Sequence, residues 1–219
     1  MLIACWSVKG GSGTTVTAAA LSVALANGVP DRRRRASGVV LVDLGGDLPA
    51  ALGVPEPSGP GVCEWLSSAD ADADALARLL HDVRPGLHLL PFGSGPMPTT
   101  GGERLALALG GMGSVVVDCG APGSPVGLAV AGSAALSLLV LRPCYLALRR
   151  ALRAPLKASG VIFIDEPGRA LGVGDVEDVL GLPVRAVVPH HDGISRSVDA
   201  GLLAARLPRQ LERAVRSAA

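Results

Sequence analysis

Lys9-Gly10-Gly11-Ser12-Gly13-Thr14-Thr15 is the stretch on which the fold turns. It follows an apolar run from Leu2 to Val8 that reads as a strand, and it leads into a run from Thr15 to Ala26 that reads as a helix. A strand, a glycine-rich turn and a helix opening on hydroxyl residues bring several backbone N–H groups and a helix N-terminus to one point. That arrangement suits a chain of phosphates.

The general phosphate-loop pattern is G-x-x-x-x-G-K-[ST]: its glycines let the backbone wrap the phosphates, its lysine neutralises them and its last hydroxyl holds magnesium. Laid on this pattern, the chain reads Val8-Lys9-Gly10-Gly11-Ser12-Gly13-Thr14-Thr15. Gly13 and Thr15 are in place, Val8 replaces the first glycine, and Thr14 stands at the lysine position. A lysine appears instead at position 9. A hydrogen bond to a charged group is worth roughly 1.5 to 3 kcal/mol, so the loss at Thr14 weakens nucleotide binding by about one to two orders of magnitude. Hydrolysis is more exposed, because a missing donor to transition-state charge costs about 10²- to 10³-fold in rate.

With its early lysine the string resembles the deviant phosphate loop K-G-G-x-G-K-[ST] of the ParA/MinD group of partitioning and positioning ATPases. The resemblance implies a P-loop NTPase-like α/β fold and a homodimer closed around ATP and Mg2+. In such a dimer Lys9 would reach the partner's phosphates, while Gly10, Gly11, Ser12, Gly13, Thr14 and Thr15 would hold those of their own subunit. Thr15 and Asp118 would hold magnesium, and Lys9, Asp43 and Asp118 would form the catalytic set. The family's usual D-x-D-P after the second strand is here Asp43-Leu44-Gly45, so the second acid is missing; Asp47 is the nearest acid, out of register.

Other pieces sit at the spacing such a fold needs. Val39 to Asp43 and Ser114 to Asp118 are β-branched runs that end in an acid, as expected of buried parallel strands whose carboxyl ends face a ligand crevice. The second reads as a Walker B strand, with Gly120 to Gly123 in the switch position. The segments 87–91, 136–143, 160–164 and 183–189 look like further family strands, and His190-His191-Asp192 falls where relatives enclose the adenine. The eroded loop, and residues 166–201, also look like the TadZ/CpaE branch, whose members help to site secretion or pilus machinery. This implies a protein partner in a positioning or secretion system.

The chain has 219 residues and is 49% hydrophobic, enough for one sizeable core, and it contains no linker that would divide it. Apolar strands alternate with helical runs, which predicts one domain over 1–219 with a mostly parallel sheet covered by helices on both faces. Ala71 to Val83 reads as a sheet-covering helix, and Gly93 to Gly102 as a mobile surface loop. Net charge is +1, with residues 142–219 mildly basic at 12 cations against 8 carboxylates. Cys5, Cys63, Cys119 and Cys144 show no metal spacing, Cys63 beside Trp65 reads as packing, and no leader or transmembrane helix is expected. These features predict a cytoplasmic protein with reduced thiols, peripheral to membrane or nucleoid at most.

Three features have a plainer and a sharper reading. Arg32-Arg33-Arg34-Arg35 is a solvated loop or a contact for DNA phosphates or anionic lipid. With 2 Trp, 1 Tyr and 2 Phe there is little surface for stacking single-stranded bases. The C-terminal run with Arg209, Arg213 and Arg216 on one face is a closing helix, or a membrane tail of the MinD type. His190 and His191 lack a third ligand for zinc. Two further function classes compete with an ATP-dependent switch: a non-hydrolysing scaffold, and an NAD-dependent dehydrogenase whose fingerprint Gly11-x-Gly13 and Asp43 would mimic.

Overall fold

The computed structural model of the chain describes residues 1–29 and 38–218. The arginine run 32–35 therefore lies outside the described residues. In chain order the first elements are β1 (Leu2–Trp6), α1 (Thr14–Asn27), β2 (Val39–Asp43), α2 (Leu48–Leu52), α3 (Val62–Ser67) and α4 (Ala73–Arg78). Next come β3 (His81–Arg84), β4 (Leu87–Leu90), α5 (Gly102–Gly110), β5 (Ser114–Asp118), α6 (Pro125–Ser133) and β6 (Leu136–Leu141). The chain finishes with α7 (Tyr145–Ala151), β7 (Gly160–Asp165), α8 (Val173–Leu180), β8 (Val184–Pro189), α9 (Asp192–Asp199) and α10 (Arg209–Arg216).

The eight strands form one sheet in the order β3-β4-β2-β5-β1-β6-β7-β8. All neighbours are parallel except β3 and β4. Successive strand residues point to opposite faces, and here each face has its own core. Ile3, Leu41, Val116, Leu138, Val140 and Ile162 pack against α1, α2, α9 and α10, whereas Ala4, Val40, Val42, Val117, Leu139 and Phe163 pack against α3 to α8. The strands therefore read as continuous apolar runs, because both faces are covered. The expected α/β architecture is the one observed.

α1 is apolar almost all round, with Ala18, Ala19, Ala20, Leu21, Val23 and Ala24 buried. α10 supplies the outer cover: Leu211 and Val215 are fully buried on the α1 side of the sheet, and Glu212 accepts from Asn27 at 3.1 Å. The C-terminal run is thus a closing helix. No helix among the described residues is long and apolar enough to cross a membrane.

Two expectations fail. The run 71–83 is not one helix: α4 stops at Arg78, and His81–Arg84 turns back as an antiparallel edge strand on β4. Pro85-Gly86 makes the hairpin turn, with Gly86 in the left-handed region at φ 81°. The start of the 93–102 loop, expected to be mobile, is instead tied down, since Glu64 accepts from Gly61, Ser94 and Gly95 N–H at 2.7 to 2.9 Å.

Candidate nucleotide-binding site

β1 occupies the middle of the sheet, between β5 and β6, so the turn that leaves it emerges at the centre of the strands' carboxyl ends. Cys5 and Asp43 are both in register with Asp118, which places the ends of β1, β2 and β5 side by side. Three loops meet there: residues 7–13, 43–47 and 118–122. They enclose a cavity of about 400 Å³ lined by Ser7, Gly10 to Val16, Gly45, Asp47 and Gly120 to Pro122.

The first loop closes on itself. Gly11 and Gly13 adopt left-handed φ values of 71° and 89°, and the Ser7 and Ser12 hydroxyls both donate to the Lys9 carbonyl, at 3.1 and 2.7 Å. Ser12 therefore spends its hydroxyl on the turn. A side chain at Gly10 or Gly11 would meet nothing within 4 Å, so the cradle is open above the backbone. Thr14 is buried at 8% exposure and lines the cavity with a hydroxyl where the general pattern has an ammonium. Lys9 is half-buried and is not among the lining residues.

The two neighbouring loops touch backbone to backbone. A Cβ on Gly120 would stand 2.3 Å from the Leu44 carbonyl oxygen, and one on Gly45 would stand 3.2 Å from the Gly120 Cα. Asp43, fully buried, is committed to its own loop: Oδ1 accepts from Gly45 and Gly46, and Oδ2 from Leu48, at 2.6 to 3.1 Å. Burial still lifts its carboxyl above the ordinary range against the pull of those amides. Asp47, unlike Asp43, makes no side-chain cap on α2 and reaches the cavity.

Asp118 is the electrostatic centre. Its Oδ1 accepts from Gly120 N–H at 3.1 Å, while its buried Oδ2 has no hydrogen-bond partner among the described residues. Burial pushes its pKa up to about 6, against the Thr15 hydroxyl and the Gly120 amide, which pull it down. A buried carboxylate beside a hydroxyl is a ready pair of hard ligands for Mg2+, which takes few protein oxygens. The residues present fit that ion and a polyphosphate: Thr15 and Asp118 would hold the ion, and it would supply charge neutralisation. Among the described residues no group of three His, Cys, Asp or Glu could hold a metal. His191 Nδ1 instead accepts from Gly193 N–H, capping α9.

A second chamber of about 200 Å³ shares Gly13 and Val16 with the first and has apolar walls at Ile164, Val188 and Ile194. His190, His191 and Arg142 line it. Arg142, which no motif picked out, follows β6; its Nε is buried without a hydrogen bond, 3.9 Å from Glu166 Oε2. Its signal was positional: a cation at the carboxyl end of a central parallel strand faces the crevice of an open α/β sheet. The two chambers together offer a polar end and an apolar end across the first turn of α1.

The strand order also tests the dehydrogenase reading. In a dinucleotide fold β2 lies next to β1, which brings its terminal acid to the ribose. Here β5 intervenes, and Asp43 sits beside Asp118 instead.

No protein-family model matches the sequence, and no curated protein matches it either. Solved structures match over nearly the whole chain. The septum site-determining protein MinD of Pyrococcus horikoshii, complexed with Mg-ADP, superposes with a TM-score of 0.76 at 21% identity, over 99% of this chain and 93% of that one. MinD of Aquifex aeolicus gives 0.77 at 19% identity, over 99% and 94%. A ParA family ATPase of Chlorobium tepidum gives 0.71 at 22% identity, over 98% and 96%. The fold is that of the ParA and MinD ATPases. At these identities the likeness concerns architecture: the ParA/MinD fold carries, in this chain, a loop without the lysine of the general pattern.

Proposed function

We propose that the chain is a ParA/MinD-type adenine-nucleotide switch that closes as a homodimer around ATP and Mg2+ and helps to position another assembly, with weak or absent hydrolysis. One observation carries the reading: the unpartnered Oδ2 of buried Asp118 beside Thr15, at the edge of a cavity walled by loop residues 10–15. In this reading the amides of Gly10 to Thr15 hold the phosphates, Thr15 and Asp118 hold magnesium, and the apolar chamber under His190 takes the base. Asp43 organises the loop that faces them. Lys9, outside its own cavity, is the group offered to the partner subunit. The eroded loop also fits a TadZ/CpaE-like role in siting a secretion or pilus system.

A second reading, a scaffold that keeps the fold without turnover, is favoured by Thr14 and by Gly45, which takes the place of the second acid. Titration calorimetry with ATP decides between them. The switch requires binding that weakens at least tenfold without magnesium and likewise in Asp118→Ala. No heat at millimolar ATP, with the fold intact by circular dichroism, leaves only the scaffold.

A further inference from the structure

α7 and α8 leave an apolar groove on the sheet face away from α1. Its larger part, about 610 Å³, is lined by Pro143, Tyr145, Leu148, Leu152, Leu171 and Val179 among others. A second hollow of about 340 Å³ continues past Leu152 to Pro155, Leu156 and Leu182. Large apolar side chains stand open along it: Tyr145 is 78% exposed, Leu152 62% and Val179 44%. A contiguous exposed apolar surface of this kind marks an interaction site rather than chance.

The charged side chains that line it are basic, although α8 beside it carries three carboxylates. Residues 145–157 include Arg149, Arg150, Arg153 and Lys157 and no carboxylate. The charged residues that line the two hollows are Arg149, Arg169 and Lys157. Arg169 is neutralised by Glu166 at 2.5 Å, whereas Arg149 and Lys157 make no ion pair among the described residues. Asp175, Glu177 and Asp178 belong to α8 but do not line the hollows; Asp175 accepts from the Gly172 amide and Glu177 from the Val184 amide. The groove is also tied to the phosphate loop: Arg150, next to Arg149, donates to the Val8 carbonyl at 3.4 Å, one residue before Lys9.

We propose that this groove docks an acidic amphipathic helix of a partner protein, whose aliphatic side chains fill the hollows while its Asp and Glu residues meet Arg149 and Lys157. Helix-in-groove binding reads apolar anchors at i, i+3 or i+4 and i+7, and complementary charge adds selectivity and on-rate. Concavity decides against a lipid surface as occupant, since a bilayer presents no side chains to fill hollows of about 610 and 340 Å³. The inference stands apart from the nucleotide reading, because neither Leu152 nor Arg149 lines either chamber of that site.

The test is selection of a displayed library of random amphipathic 18-residue helices on the purified full chain, followed by fluorescence anisotropy of the enriched peptides. Expected are net-negative peptides that lose at least tenfold in affinity against Leu152→Asp and against Arg149→Glu, two exposed changes whose folding is checked by thermal melting. Neutral or basic winners, peptides that bind both variants unchanged, or no enrichment at all would overturn the proposal. So would self-association by sedimentation, or pelleting with phosphatidylglycerol vesicles, that Leu152→Asp abolishes, because each assigns the groove to another occupant.

Discussion

Asp118 holds the most consequential charge in the chain. Its folded-state pKa of about 6 lies above the ordinary 3.8, so between those values the folded protein binds more protons than the unfolded one. Stability from this group is therefore present below about pH 4 and is lost as pH rises through 6. At roughly 1.4 kcal/mol per unit the loss approaches about 3 kcal/mol at neutral pH. Asp118→Asn is expected to raise the melting temperature of the nucleotide-free protein at pH 7.5, by an amount that vanishes near pH 4, while removing any response to magnesium. Melting curves across pH check both. Thr14 supports a complementary expectation. Thr14→Lys places an ammonium on a residue that already lines the cavity, and ATP affinity should rise about ten- to hundredfold by calorimetry. An unchanged affinity would mean that this cradle does not seat a phosphate at that point. Both residues were legible in the sequence, one as a strand-ending acid and the other as a departure from a motif. The unpaired oxygen and the backbone contact of Gly45 with Gly120 were not, since both depend on how β2 and β5 pair.

Among the elements, α3 and α5 show how short helices are held. α3 has six residues, too few to be stable alone. Arg104 on α5 donates to the carbonyls of Trp65, Leu66, Ser68 and Ala69 at 2.9 to 3.1 Å, and its guanidinium lies 4.2 Å over the Trp65 ring. Two of these carbonyls belong to the last turn of α3, where helix ends leave acceptors open, and two to the segment that follows it. Arg104→Ala should cost about 2 kcal/mol in urea unfolding, and Arg104→Lys should recover less than half, because an ammonium cannot serve the fork. Nothing in the periodicity of residues 62–67 or 102–110 announced this contact across the fold. The failure at 71–83 has a similar origin. Alanine and aspartate carry no alternation that would reveal the strand behind them, and only the Pro85-Gly86 turn signalled it.

At the scale of the molecule, the apolar runs were readable because the parallel sheet is covered on both faces and needs no alternation of polarity. The order of the strands was not readable from the runs, because pairing joins segments far apart in the chain, such as β1 with β5 and β6. α10 completes the outer layer, and Leu211, buried to 0% exposure between α1 and β8, is its anchor. Leu211→Ala is expected to destabilise the protein by about 2 to 5 kcal/mol in urea titration. A cost under 0.5 kcal/mol would show that the last helix is dispensable to the core. The margins of the sheet carry a further consequence. β3 presents His81, Asp82 and Arg84 with a register shift between Asp82 and Arg84, and β8 carries Arg185 and ends on Pro189. Charges, an irregular pleat and a proline all discourage a neighbouring molecule from adding its own strand. Copies of this chain are therefore protected from growing into ribbons, and the surfaces left open to a neighbouring molecule are those of the loops and helices.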